Sequence, residues 1–236
     1  MDISGLLQWL LDVDTDVFLA INSFHNTFGD FFMYMYSDKF VWVPMYLSIV
    51  YIMFRNFPAK MNVVCLLFAV AIIVITDQTC SNLLRGMVAR LRPSNLANPL
   101  TKAGLVHIVE GYRGGRFGFP SAHSANSWGL AFFLIFLFRR HLVSWWLVAW
   151  AIVTCWSRMY LGVHYPGDIL VGMLIGFAGA VASYWVFQRF LHAYALEYRL
   201  PVVRRQMYVP MAVGLFTVLV LLVVALYRTS ITPQLI

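Results

Sequence analysis

FPSAHSANSWGLAFFLIFLF, residues Phe119 to Phe138, decides the fold class of this chain. From Trp128 onward it carries no polar side chain at all. A helix that is apolar all round is either buried in a large core or surrounded by lipid. Its start is different: Pro120-Ser121-Ala122-His123 is polar and tightly spaced. Ser121 is a natural N-cap, because a serine hydroxyl accepts from the free amides of a first helical turn. Ala122 leaves those amides open, and a helix N-terminus with exposed amides favours an anion such as phosphate. His123 then stands beside that anion with a proton to give, or it is simply an interfacial histidine; this stretch alone does not decide.

Composition settles the surroundings. The 236 residues are 61% hydrophobic and only 11% charged, with mean hydropathy +0.74. That leaves too little polar surface for an ordinary soluble domain. The expected class is an all-α polytopic membrane protein. A spanning helix needs about 20 mostly apolar residues. Runs at 40–55, 61–84, 121–138, 144–163, 168–190 and 208–228 come near that length, so about six transmembrane helices are expected. No repeat or linker divides the chain, and residues 1–236 read as one membrane domain. Its net charge of +7 would suggest nucleic acid in a soluble protein; here it fits membrane orientation and an anionic ligand. Cys65, Cys80 and Cys155 all lie in apolar runs and read as core residues rather than a disulfide framework.

Residues 1–38 form a separate N-terminal segment. Leu6, Leu7, Trp9, Leu10 and Leu11 alternate with Asp2, Asp12, Asp14 and Asp16, which predicts an amphipathic helix along the membrane surface. The acidic start also makes a cleaved signal peptide unexpected. A second short aromatic stretch, HNTFGDFFMYMYSDK (25–39), reads as interfacial or as a partly inserted seventh helix. Six spans put both termini on one side and the loops 56–60, 139–143 and 191–207 on the other. These loops hold Lys60, Arg139, Arg140, Arg199, Arg204 and Arg205 against a single acid, Glu197, and are expected to be cytoplasmic.

With that topology every polar motif gathers at the opposite face. Arg85-Gly-Met-Val-Ala-Arg-Leu-Arg92-Pro93 leaves the second span; arginine forks suit phosphate oxygens, although basic helix ends also snorkel. Ser157-Arg158 ends the fourth span, and His164 and Asp168 flank the turn into the fifth. A carboxylate four residues past a histidine can hold one ring nitrogen and leave the other as a nucleophile. Asp77, inside the second span, is costly in lipid and is expected to support the site structurally more than to join in it. The long 94–119 segment, with Gly111, Gly114, Gly115 and Gly118 and with Arg113 and Arg116, is either a lid or a flexible surface loop. His25, His107, His141 and His192 are scattered and form no metal-ligand spacing.

These three motifs together resemble the type 2 phosphatidic acid phosphatase (PAP2) family, whose signature is Lys-x6-Arg-Pro, Pro-Ser-x-His and Ser-Arg-x5-His-x3-Asp. The second and third match at every defined position, and the first has Arg85 where the family carries lysine. The likeness covers roughly residues 40–190, with 208–228 a further span. It implies a PAP2-type helix bundle and a lipid phosphatase that uses neither metal nor cofactor. It also implies roles: Arg85, Arg92, Arg158, Ser121 and the amides beside Ala122 bind phosphate, His164 attacks phosphorus, Asp168 orients it, and His123 handles the leaving-group proton. Arg113, Arg116 and Asp77 would support them. The expected partners are a lipid phosphate and membrane lipids, with no nucleic acid and no obligatory protein partner. Size points first to an undecaprenyl diphosphate phosphatase of a bacterial inner membrane, its site on the periplasmic side. Lipid A phosphatase and phosphatidylglycerophosphate or phosphatidate phosphatase are the alternatives. A silent phospholipid-binding or transport protein is the reading from another class, favoured only by Arg85 in place of lysine.

Overall fold

A computed structural model of the chain describes residues 2–194 and 205–232. Arg199, Arg204 and Glu197, used above to orient the chain, lie outside the described residues. The described residues form helices and no β-strand.

Two helices precede the bundle, α1 (Ile3–Asn22) and α2 (Thr27–Tyr36). Six apolar helices follow: α3 (Val43–Asn56), α4 (Ala59–Gln78), α7 (Ala122–Phe138), α8 (His141–Tyr160), α9 (Pro166–Ala193) and α10 (Val209–Ile231). They fall on the six apolar runs. Four stretches are long and apolar enough to cross a membrane: Ala59–Val88, His141–Tyr160, Pro166–Ala193 and Gln206–Ile231. At 17 and 14 residues, α7 and α3 are shorter. At 1.5 Å per residue α3 is about 21 Å long, less than the roughly 30 Å hydrocarbon layer. The ten residues of α2 are too short to span, so the candidate seventh transmembrane helix is not one. It packs instead on α10 and α8.

The bundle centres on α7. Gly172 and Gly176 of α9 let the two backbones meet: a Cβ at Gly172 would stand 2.5 Å from the Ser121 carbonyl oxygen, and one at Gly176 2.5 Å from that of Ala125. Small residues spaced by four allow such close helix packing in lipid, where apolar burial supplies no drive. Consequently the start of α9 is fixed against the start of α7. Ser121 N donates to the Asp168 carbonyl (3.0 Å) and Ser124 Oγ to that of Ile169 (2.7 Å).

The second span contains a feature hydropathy does not show. After α4 come a π-helical turn, Thr79–Leu84, and a short α5 (Arg85–Val88). A π turn inserts an extra residue and re-aims everything after it, and such turns recur at functional sites. Here it lies between Asp77 and Arg85.

α1 departs from the surface-helix expectation. Its Leu6, Leu7, Trp9 and Leu10 are exposed, as that reading requires, but its other face is docked on the bundle. Phe18 is fully buried against the Tyr165 ring, and Asn22 Nδ2 donates to the Tyr160 carbonyl at 2.8 Å. The 94–119 segment is likewise no flexible loop. It includes α6 (Pro99–Lys102) and is tied down by Ser94 N to Gly162 O (2.9 Å), Gly118 N to Arg90 O (2.9 Å) and Arg113 Nη1 to Ser94 O (2.7 Å). Gly162, at φ +72°, ends α8 in the left-handed region that glycine enters without strain.

Candidate active site

Ser121 caps α7 as its residue type requires, its Oγ accepting from Ser124 N at 3.4 Å. Four residues after His164, Asp168 is the acidic member of the first turn of α9. Its Oδ2 accepts from Tyr165 N at 3.0 Å and faces His164 Nδ1 at 3.2 Å. Both side chains are buried. The other ring nitrogen, Nε2, lies 2.9 Å from Arg92 Nη1. An arginine nitrogen can only donate, so Nε2 is the acceptor and the ring proton sits on Nδ1, toward Asp168. The geometry thus leaves a lone pair on Nε2, the arrangement a nitrogen nucleophile needs.

Three arginines surround that histidine. Arg92 also donates to the Val163 carbonyl at 2.9 Å. Arg158 is held by Ser37 Oγ and by Tyr112 OH at 2.9 Å. Arg85 is half-buried at the end of the second span. In all three the guanidinium Nε is buried and has no hydrogen-bond partner among the described residues. Buried unpartnered donors are costly, and three at one place fit an anion that would bond them. Burial, and then the positive charges of Arg92, Arg158 and Arg85, push the His164 imidazole well below its ordinary value. Arg92 itself is held down to about 10, by burial and by Arg158 and Arg85.

His123, two residues into α7, opens into a cavity of about 540 Å³ that runs between α3, α4, α7 and α8. Its walls are chiefly apolar, with Trp42, Ile49, Met53, Leu66, Leu130 and Phe133 among them. α3 and α4 pack only loosely on each other there. Asp77 lines the same cavity.

Two expected supports stand apart. Arg116 is exposed, its guanidinium over the Phe117 ring, and makes no contact with the histidines. Arg113 straps the 94–119 segment through Ser94 O. The motif pattern missed four other positions. Arg90 Nη1 bridges Asp168 Oδ1 (3.2 Å) and Asp14 Oδ2 (2.6 Å), and its guanidinium stacks over the Tyr165 ring at 3.8 Å. Asp14, from α1, also accepts from Gly167 N at 2.6 Å. Tyr112 holds Arg158, and Gly118 lies so close that a Cβ would stand 3.0 Å from Asp168 Oδ2. Only Arg90 carried a signal, as the unassigned arginine between Arg85 and Arg92. His25 and His107, scattered in sequence, stack at 3.9 Å, with His107 Nε2 2.9 Å from Asp30 Oδ2.

Among known proteins, the sequence is 48% identical to a lipid A 4'-phosphatase of Bacteroides thetaiotaomicron, over 77% of this chain and 80% of that protein. It is 30% identical to a lipid A 4'-phosphatase of Porphyromonas gingivalis, over 79% and 77%. The crystal structure of Aquifex aeolicus LpxE superposes with a TM-score of 0.54 at 21% identity, covering 72% of this chain and 93% of that one, which supports the fold. Residues 62–192 match the PAP2 superfamily and contain all three motifs. With the helix bundle and the histidine–arginine site in place, this chain is an integral-membrane lipid phosphatase that belongs to the PAP2 superfamily.

Proposed function

We propose that this phosphatase acts on lipid A, removing a phosphate monoester from an acylated amino sugar. The observation that carries the chemistry is the His164 ring, its proton turned to Asp168 and its unprotonated Nε2 facing Arg92, beside three arginines whose Nε atoms have no partner among the described residues. The choice of lipid is supported by two lipid A 4'-phosphatases, each aligned over more than three quarters of the chain. That support places lipid A ahead of undecaprenyl diphosphate, the first expectation from sequence.

In this reading Arg85, Arg92 and Arg158, with Ser121 and the amides beside Ala122, bind the phosphoryl oxygens and stabilise the charge that spreads over them. His164 Nε2 attacks phosphorus. The bond from phosphorus to the sugar oxygen breaks, and protonated His123 gives its proton to that oxygen. Neutral His123 then takes a proton from water as the water attacks the phosphohistidine, which frees inorganic phosphate and restores His164. The acyl chains lie in the apolar cavity beside His123. The site faces the periplasmic side of a bacterial inner membrane, with 139–143 and 191–207 cytoplasmic.

The test is phosphate release by the purified full chain from lipid A, undecaprenyl diphosphate, phosphatidylglycerophosphate and phosphatidic acid, with a chelator present. Lipid A is expected to have the highest kcat/KM, unchanged by the chelator. No release from lipid A would end the substrate assignment, and activity lost in chelator would end the mechanism.

Arg90 and Asp14 act as positioning residues. Arg90 is the ion-pair partner of the buried Asp168 carboxylate, and Asp14 fixes both Arg90 and the α8–α9 turn. Arg90→Ala should lower kcat about 10²-fold, and Asp14→Ala about tenfold, as misplaced catalytic groups do. KM should stay near the wild-type value, and Arg90→Lys should recover part of the loss. A fall confined to KM, or no fall, would contradict the role.

A further inference from the structure

We infer that Asp77 reads the sugar of the substrate: its carboxyl accepts hydrogen bonds from the N–H and O–H donors beside the phosphate. This rests on the lipid A reading above and gives that site its selectivity.

Asp77 is half-buried in a membrane-spanning helix and lines the cavity that opens at His123. Among the described residues its carboxyl makes no hydrogen bond and no ion pair. An acid at such depth is costly unless it is paired or has work to do. Several neighbouring polar groups are committed elsewhere. Thr76 Oγ donates to Asn126 Oδ1 at 2.7 Å, Ser127 Oγ to the Ser124 carbonyl at 3.2 Å and Thr154 Oγ to the Trp150 carbonyl at 2.8 Å. Ser37 Oγ holds Arg158. Asp77 therefore presents an unused acceptor to whatever fills the cavity.

Arg85 is not its partner. The two are eight residues apart, and the π-helical turn lies between them. Arg85 is left to the phosphate, and Asp77 to a different group. That group is not the phosphate, because a carboxylate repels it. A carboxylate accepts and never donates, so it selects N–H and O–H groups. An acylated amino sugar carries such donors next to its phosphate; a prenyl chain and a diacylglycerol carry none there. A site built to bond a donor rejects an analogue that lacks it, since its own polar group is then left unpaired.

Besides His123, Lys39 is the other basic group among the described residues lining this cavity. Its Nζ lies 5.2 Å over the Phe40 ring, and it forms no ion pair with Asp77.

The experiment compares wild type, Asp77→Asn, Asp77→Ala, Lys39→Met and the Asp77→Ala/Lys39→Met double variant as purified full chains. For each, kcat and KM are measured with lipid A, along with the inhibition constants of inorganic phosphate and of phosphatidic acid, which lacks donors beside its phosphate. Asp77→Ala should lower kcat/KM for lipid A about tenfold to a hundredfold, mainly through KM, the loss expected for hydrogen bonds to a charged acceptor. Asp77→Asn should lose less. Both inhibition constants should stay at the wild-type value, which also shows that the variants are folded. An unchanged kcat/KM overturns the proposal. So does a parallel rise in either inhibition constant, which would make Asp77 a support of the phosphate site or the cavity. It is also overturned if Lys39→Met reproduces the Asp77→Ala loss and the double variant adds nothing, because an ion pair would then account for both. If wild type releases no phosphate from lipid A, the substrate reading itself has failed and takes this inference with it.

Discussion

Replacing His164 with alanine is expected to reduce phosphate release by about 10⁴-fold or more, the scale seen when a covalent nucleophile is removed. The neighbours have nothing to substitute for it. Arg92 and Arg158 are donors without lone pairs. His123 opens to the cavity from α7, whereas His164 is buried in the α8–α9 turn between Arg92 and Asp168. Single-turnover labelling should show acid-labile phosphate on wild type and none on the variant. Because the ring is buried, the alanine variant leaves a void, so its elution volume and thermal unfolding must be compared with wild type. A folded His164→Ala protein that releases phosphate at the wild-type rate would refute the nucleophile assignment. If neither protein released phosphate from any lipid, a silent lipid-binding protein would be the better account.

Arg92→Ala should cost about 10²- to 10³-fold in kcat, as loss of a preorganised donor to a developing charge does. Lysine should not restore it. Arg92 Nη1 reaches the Val163 carbonyl and His164 Nε2 together from the end of a planar, preorganised group, and an ammonium is a point charge on a flexible stem. The same variant should shift the pH profile in a defined direction. Positive neighbours disfavour imidazolium, so Arg92, with burial and the other arginines, keeps His164 deprotonated well below the ordinary histidine range. Removing Arg92 removes one positive charge, so the His164 value rises and the acid limb of kcat/KM moves to higher pH. Measuring residual activity from acid to neutral pH checks this. A limb that stays put or moves to lower pH would show that Arg92 does not act on His164 electrostatically.

Much of this was legible in the sequence because the relevant signals are local. Six apolar runs became six helices, since hydropathy reports burial in lipid run by run. The His164–Asp168 pair follows from a four-residue spacing across a Pro-Gly turn, and the Ser121 cap from residue type at a helix start. Helix lengths were less legible. The 40–55 run holds a helix of only 14 residues, and the 25–39 stretch holds one too short to cross.

Other elements were not legible for specific reasons. Apolar and acidic residues alternating along α1 look the same whether the covered face meets lipid or protein. Only the docked structure shows Asp14 at Gly167 and Arg90, so a helix expected to rest on the membrane also braces the site. Arg90 and Arg116 were equivalent as letters. The chain path sends one to the buried Asp168 and leaves the other exposed over Phe117. The π-helical turn between Asp77 and Arg85 has no residue signature here. By itself the sequence determined the membrane class, the helix order and the histidine, serine and arginine positions of the candidate site, because each depends on neighbours within a turn or two. Tertiary structure alone decided which arginine holds which carboxylate, what braces the His164 turn and which acid faces the apolar cavity. Those contacts join positions 78 and 153 residues apart, and no local pattern encodes their pairing.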